Sequence, residues 1–491
     1  LSETLRGGIL PYIKPEVVGY ISSVDQDGRI LEELFDINMA HILMLIEEGI
    51  LAKEVGAKIL KSLAELRGTI RLDGGKEDAY VCIEDEVSTI AGEGVGGNLN
   101  LAKSRNDQIA TALRMRLRRE ILDLIGLGAD LLRGLLELAE GGLYSLMPGY
   151  THLRVAQPIT LAHYAIAQFD ALARDIERLM EAYGRINKCP MGAAALATTS
   201  FPINRHRVSE LLGFDGLVEN SLDAVGDRDF ALEALADLSI MAWHLIRFLE
   251  DLILYSTPEF SIFELPPGFS STSSIMPQKR NPDMLEVMRA RLSAILGDLA
   301  AAFSILKALP SGYNLDFQEL TPRLWSGVDE LKRAIPLLSE MVPKVKVVGG
   351  AEGRLSAQFA TASELANFLY SKHRIPFRSA YRIVGEICGI LYESGKGMSD
   401  LSPELLKEVA KRRAGVELDL DSGELGRVID PRRFVESHRV IGGPSPERVR
   451  EAIERRRAGL ERISDFLDRR REALRRSKEL LEARVRSIIG L

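Results

Sequence analysis

Residues Leu235-Ala236-Asp237-Leu238-Ser239-Ile240-Met241-Ala242-Trp243-His244-Leu245-Ile246-Arg247-Phe248-Leu249-Glu250-Asp251-Leu252 carry an apolar side chain at every third or fourth place, through Leu235, Leu238, Ala242, Leu245, Leu249 and Leu252. That spacing draws one apolar stripe down an α-helix. Three other segments repeat it. One passes through Leu117, Ile121, Leu124, Leu131, Leu135 and Leu138, interrupted at Gly128, and a second through Ala165, Phe169, Leu172, Ile176, Leu179 and Tyr183. The third passes through Leu285, Met288, Leu292, Ile295, Leu299 and Ala302. At about 1.5 Å per residue each helix spans roughly 30 Å or more, so the four can lie lengthwise in one bundle. The glycine-rich stretches Gly92 to Gly97 and Gly349-Gly350 bound it, and the Val/Ile alternation of a sheet is scarce. The reading is all-α, with three mostly helical domains at residues 1–103, 104–352 and 353–491, the central one a long helical bundle.

Composition narrows the class. A chain of 491 residues exceeds one ordinary core, and 46% hydrophobic with 27% charged residues fits a globular protein in water. Charges break every apolar run before the roughly 20 residues that a membrane span needs, so no membrane partner is expected. The start, Leu1 to Arg6, lacks the pattern of a secretory leader, and Cys82, Cys189 and Cys388 are too scattered for a disulfide framework or a metal site. A reducing cytoplasm is the expected compartment. The net charge of −7 argues against a nucleic-acid partner. The Arg-rich tail from Arg448 to Arg486 reads as a solvated helix face.

Three polar stretches border the bundle helices. Lys103-Ser104-Arg105-Asn106-Asp107-Gln108 stands where helix N–H groups are unpaired, and serves as an N-cap or as a carboxylate site. Gly149 to Pro158 contains His152, one of 7 histidines. It is either a hydrogen-bonded structural side chain or a proton donor to a leaving nitrogen. Ser270-Ser271-Thr272-Ser273-Ser274-Ile275-Met276-Pro277-Gln278-Lys279-Arg280-Asn281-Pro282-Asp283 leads to Glu286 on the fourth helix. Asn281-Pro282 reads as an N-cap and first-turn pair, and the serines as a linker or as a mobile lid. Met276-Pro277-Gln278-Lys279-Arg280-Asn281 weighs against a mere linker.

This last stretch closely resembles the signature loop of the fumarase/aspartase superfamily, Ser-Ser-x-Met-Pro followed by Lys and Asn. Ser104 to Gln108, Gly149 to Pro158, Glu219-Asn220-Ser221-Leu222-Asp223-Ala224 with Arg228-Asp229-Phe230, and Tyr313-Asn314 with Gln318-Glu319 resemble argininosuccinate lyase in order and spacing. The resemblance extends from about Ser22 to Gly442-Gly443, and includes Pro376-Phe377-Arg378. It implies β-elimination of argininosuccinate to arginine and fumarate, no metal or organic cofactor, and a homotetramer. The central bundles would form the tetramer core, with each site drawn from three chains.

The resemblance also assigns roles. Ser273 would be the general base, its alkoxide stabilised by Lys279 and loop amides. Lys279 and Asn281 would hold the carboxylate that becomes enediolate-like, while His152, oriented by Glu286, would protonate the leaving guanidino nitrogen. Thr151 would bind the succinyl end, and Ser23, Asn106, Tyr313 and Gln318 the arginine end, with Arg105 and Arg228 behind them. The sequence departs from the family pattern at Thr272, where a glycine is usual, and at Tyr80, Asn100 and Lys103. Thr321 and Leu315 stand in place of two lysines at the amino-acid end. The rivals are adenylosuccinate lyase, another fumarate-releasing lyase, and a non-catalytic crystallin-like homologue.

Overall fold

The computed structural model describes residues 13–490, so the Leu1 to Arg6 start lies outside the described residues. Helices α1 (Pro15–Ile21), α2 (Val24–Asp27), α3 (Leu31–Glu47), α4 (Lys53–Leu66), α5 (Ala79–Ala91) and α6 (Glu93–Gly96) precede the long α7 (Arg105–Gly141). An antiparallel hairpin of β1 (Leu146–Thr151) and β2 (Arg154–Thr160) leads to α8 (Leu161–Ile186), α9 (Arg205–Leu211), α10 (Ser221–Gly226) and α11 (Asp229–Tyr255). The short strands β3 (Phe263–Glu264), β4 (Ser271–Thr272) and β5 (Arg280–Asn281) then enter α12 (Asp283–Leu306), followed by α13 (Phe317–Met341) and β6 (Lys346–Val347), which pairs with β3. The last part holds α14 (Ala351–Ala357), α15 (Ala362–His373), α16 (Phe377–Glu393), α17 (Pro403–Ala414), α18 (Ser422–Ile429), α19 (Pro431–Ser437) and α20 (Pro446–Ile489).

The bundle consists of α7, α8, α11, α12 and α13, each packed along at least two of the others. Four of these are the helices expected from the apolar spacing. The fifth, α13, was not expected, because Pro322 and Pro336 lie inside it and proline normally breaks a helix interior. Tertiary packing of Leu320, Leu324, Val328, Leu331, Ile335 and Leu338, all fully buried, overrides that penalty. Gly128, which interrupts the apolar repeat of α7, faces Ile176 of α8. A Cβ there would stand 2.9 Å from Ile176 Cδ1.

A charged knot ties the N-terminal segment to two bundle helices. Glu120 of α7, its side chain 1% exposed, takes Arg29 and Lys332, each at 2.8 Å, and Arg116 at 2.7 Å. Burial pushes the Glu120 carboxyl upward, and the hydrogen bonds from Lys332 and Arg29 more than reverse this, leaving it at about 2. One continuous core joins the N-terminal helices to the bundle, and α20 lies across α3, α4, α7 and α8. A second core gathers around Leu365, Leu369, Ile383, Ile387, Leu406 and Leu425. Among the described residues no helix is long and apolar enough to cross a membrane.

The outer faces of α11 and α12 keep large apolar side chains in the open: Trp243 is 46% exposed, Val287 49%, Leu296 45% and Phe303 53%. Helices that are apolar on both sides are ordinarily covered on both.

Candidate active site

The N-terminus of α7 is fixed from two directions. Ser104 caps it by accepting from the Asn106 N–H at 3.3 Å, and the Ser104 N–H donates back to Asp107 Oδ1 at 3.0 Å. The other oxygen of the buried Asp107 accepts from the N–H groups of Gly192 at 3.0 Å and Ala194 at 2.8 Å, which anchors the connection after α8. Asn106 donates to the Ala195 carbonyl at 3.0 Å. Of the two expectations for this stretch, the capping role is the one realised here.

Beside it opens a narrow pocket. Its walls come from α2 and the preceding turn (Ser23, Asp27), from α7 (Arg105), from Arg228 just before α11, and from the α12–α13 connection and α13 (Tyr313, Gln318, Thr321). Arg105 is held by Glu77 and Asp78, each at 2.5 Å. Burial lowers the Arg105 pKa and is outweighed by the charges of Asp78, Tyr313 and Glu77, which raise it. Arg228, expected behind the site, lines the pocket directly. Its Nη1 donates to the carbonyls of Val225 at 3.3 Å and Asp227 at 2.6 Å, and its guanidinium lies 4.4 Å above the Phe317 ring. Burial lowers it to about 10. Gln318 donates to the Ile21 carbonyl at 2.9 Å, joining α13 to the N-terminal turn. Thr321 bonds its own helix, at Phe317 O 3.4 Å away.

The sequence reading missed Asp27. It accepts from the Ser23 hydroxyl at 3.0 Å and the Ala79 N–H at 2.9 Å, and burial raises its carboxyl to about 6, against the Ala79 bond and with the repulsion of Asp78. The signal that could have found it is the four-residue step from Ser23, which puts both on one side of a helical turn.

The other candidates stand elsewhere. His152 and Leu153 form the two-residue tip of the β1–β2 hairpin, with φ of 54° and 57° and Thr151 paired to Arg154 across it. A turn of this kind favours glycine and asparagine, so two bulky left-handed residues mark backbone strain, a feature that gathers at functional sites. Thr151 and His152 are exposed, and neither they nor Asn106 are among the pocket walls.

The serine-rich stretch folds as a small hairpin. β4 pairs with β5, Ser271 opposite Asn281, and the Ser273 N–H donates to the Lys279 carbonyl at 3.2 Å. Ser273 Oγ accepts from the backbone N–H groups of Met276 at 3.2 Å and Ile275 at 3.4 Å. Ser273 thus has Lys279 opposite it, just beyond the paired strands of its own loop. Asn281 is not the helix cap expected from Asn281-Pro282: it belongs to β5, Pro282 takes the N-cap position, and Asp283 opens α12. Strand pairing has claimed its backbone. Glu286 lies in the first turn of α12 and is exposed. No side-chain bond joins His152, Ser273, Lys279 and Glu286 among the described residues, and Thr272, in place of a glycine, is part of β4.

Comparison with known proteins converges on one group. A lyase family model matches residues 26–297, and the model of the argininosuccinate lyase C-terminal region matches residues 359–436. Argininosuccinate lyase of Methanocaldococcus jannaschii is 42% identical over 454 residues, 91% of this chain and 92% of that protein. The corresponding enzyme of Methanothermobacter thermautotrophicus is also 42% identical, over 93% of this chain and 99% of its own. Among solved structures, EDDS lyase in complex with formate superposes with a TM-score of 0.89 at 32% identity, covering 97% of this chain and 96% of that one. A class II fumarase from Schistosoma mansoni, 16% identical with a TM-score of 0.70, shares the fold. With both family models matched in order and relatives aligned over nine-tenths of their length, the chain belongs to the argininosuccinate lyase family.

Proposed function

We propose that this protein cleaves argininosuccinate to arginine and fumarate by β-elimination. The observation that carries the reading is the surrounding of Ser273. A hydroxyl removes a proton from carbon only as alkoxide, and two backbone N–H groups already point at its Oγ, with the Lys279 ammonium on the same hairpin. Ser273 takes the proton from the succinyl carbon, and the electron pair passes into the adjacent carboxylate as an enediolate held by Lys279 and Asn281. As that pair returns to form the double bond, the C–N bond breaks. The electrons leave on the guanidino nitrogen, which takes a proton from His152, and the proton on Ser273 passes to water.

Glu286 orients His152, and Thr151 holds the succinyl end. Ser23, Asn106, Tyr313 and Gln318, with Arg105 and Arg228, receive the arginine end. The proposed assembly is a homotetramer in which several chains complete each site. It is supported by the open apolar faces of α11 and α12 and by the separation of His152, Ser273 and the pocket onto different elements. The proposed division into residues 1–103, 104–352 and 353–491 draws support from the second core only between Leu365 and Leu425, since α20 packs into the core shared by the N-terminal helices and the bundle. The proposed cytoplasmic location rests on three free cysteines. Fumarate release, followed by absorbance with purified protein and argininosuccinate, tests the activity. Release from adenylosuccinate alone would favour the rival lyase.

A further inference from the structure

The hairpin that carries Thr151 and His152 is aimed by rings more than by its ladder. Its register passes from Gly149 opposite Gln157 to Tyr150 opposite Val155, so Ala156 is an extra residue on β2, a bulge that bends the strand and re-aims whatever lies past it. Past the bulge, the pairs Tyr150 with Val155 and Thr151 with Arg154 hold the strained turn at His152 and Leu153. A two-stranded ribbon so short is marginal by itself. Its support comes from Tyr150. The partly buried ring stacks on Tyr255, the last residue of α11, with centroids 5.6 Å and planes 29° apart, and meets Phe260 at 5.5 Å. Tyr255 is wedged in turn against Phe260 at 5.9 Å, Phe263 at 5.5 Å and Tyr164 at 6.3 Å. The Tyr164 hydroxyl donates at 2.9 Å to Asp251, one turn earlier on α11. Ring pairs at these separations restrict tilt as well as distance, so the hairpin is fastened to the end of a bundle helix two residues before His152.

We propose that Tyr150 is a positioning residue for the elimination: clasped by Tyr255 and Phe260, it fixes the direction in which the hairpin presents the His152 imidazole. Tyr150 touches no reacting atom in this role. The stack needs the ring and not the hydroxyl, so phenylalanine can take its place and alanine cannot. A displacement of about 1 Å at a reacting group costs on the order of 10²-fold in rate, so a swing of the tip is felt at the proton transfer while the chain stays folded. This role presupposes the activity proposed above, with His152 as the proton donor, and adds the device that holds the donor in line.

The test follows kcat by fumarate release from argininosuccinate. Tyr150→Ala is expected to lower it by about 30-fold and Tyr150→Phe by less than about threefold. In a His152→Gln background, Tyr150→Ala should cost less than about threefold more, because a group that is absent cannot be misdirected. A Tyr150→Phe enzyme as slow as Tyr150→Ala would overturn the role of the ring, and so would a Tyr150→Ala enzyme within about threefold of wild type. The full loss repeated in the His152→Gln background would show that Tyr150 acts through something other than the imidazole, and would overturn the proposal as well. Should Tyr150→Ala fail to fold, Tyr255→Leu takes its place, with Tyr255→Phe as the conservative partner: leucine keeps an apolar side chain at the end of α11, removes the stacked ring, and is read by the same comparisons. If wild type releases no fumarate at all, the activity fails as a separate matter. The clasp is then judged by amide hydrogen exchange from Thr151 to Gln157, where exchange at least about fivefold faster in Tyr150→Ala than in Tyr150→Phe upholds it and equal exchange overturns it.

Discussion

The backbone N–H of Ser273 donates to the carbonyl of Lys279 at 3.2 Å, and this bond closes the small hairpin that carries both side chains. The proposed base and its proposed counter-cation are therefore carried on one hairpin. A loop that delivered the serine without its cation would deliver an ordinary hydroxyl.

Ser273→Ala should lower kcat by about 10³-fold or more, since positioned acid–base groups contribute up to about 10⁴. The side chain is only partly buried, so the melting temperature should stay within about 2 °C of wild type. Stopped-time fumarate assays and a thermal melt check both, and a variant with near-normal rate would remove Ser273 as the base.

His152→Gln should reduce kcat by about 10²-fold or more with little change in KM, as the proposed donation of its proton to the leaving nitrogen in the transition state requires. Leu153→Gly, one residue on, should leave kcat near wild type and raise the melting temperature. Glycine accepts φ of 57° without the cost of roughly 1 kcal/mol that leucine bears there. A large loss of kcat from Leu153→Gly alone would shift the role from the imidazole to the turn.

Glu120→Gln should destabilise the fold by about 3 kcal/mol at neutral pH, as it leaves Arg29 and Lys332 facing a neutral group. The folded-state value of about 2 lies below the ordinary 4.5 of a glutamate, so the stability that the carboxylate contributes is complete above pH 4.5. It drains away as pH falls from 4.5 toward 2. Melting curves of wild type and variant should accordingly converge across that window, and a gap of constant size would refute the assignment.

Leu296→Glu combined with Phe303→Glu puts two charges on the outward face of α12. Light scattering should then report a species smaller than the wild-type assembly, with fumarate release falling in parallel. A charged variant that keeps wild-type mass would place the subunit interface elsewhere.

Much of this architecture was legible in the order of residues. Leu235, Leu238, Ala242 and their successors define α11 without reference to any other element, because a helix buries a stripe set by its own period. α13 was hidden by Pro322 and Pro336, whose local penalty only the surrounding bundle outweighs. The hairpin at His152 escaped for a related reason: its tip lacks the glycine or asparagine that announces such a turn, and the pairing of Leu146 with Thr160 is a tertiary fact. Ser23, Tyr313 and Gln318 were identified through family likeness. That they share a pocket with Asp27 and Arg228 follows only from the folded chain, where Gln318 reaches Ile21 across nearly three hundred positions. Asn281 was misplaced by one residue because cap and strand preferences compete at the same backbone.

The anchoring of Asp107 has a mechanical corollary. One carboxylate clamps the start of a thirty-seven-residue rod to the chain beyond α8, so the α7 wall of the pocket is tied down at its end. The serine hairpin, held by two-residue strands and open to solvent, is the compliant partner. Amide hydrogen exchange should therefore be slow at Gly192 and Ala194 and fast from Ser274 to Gln278.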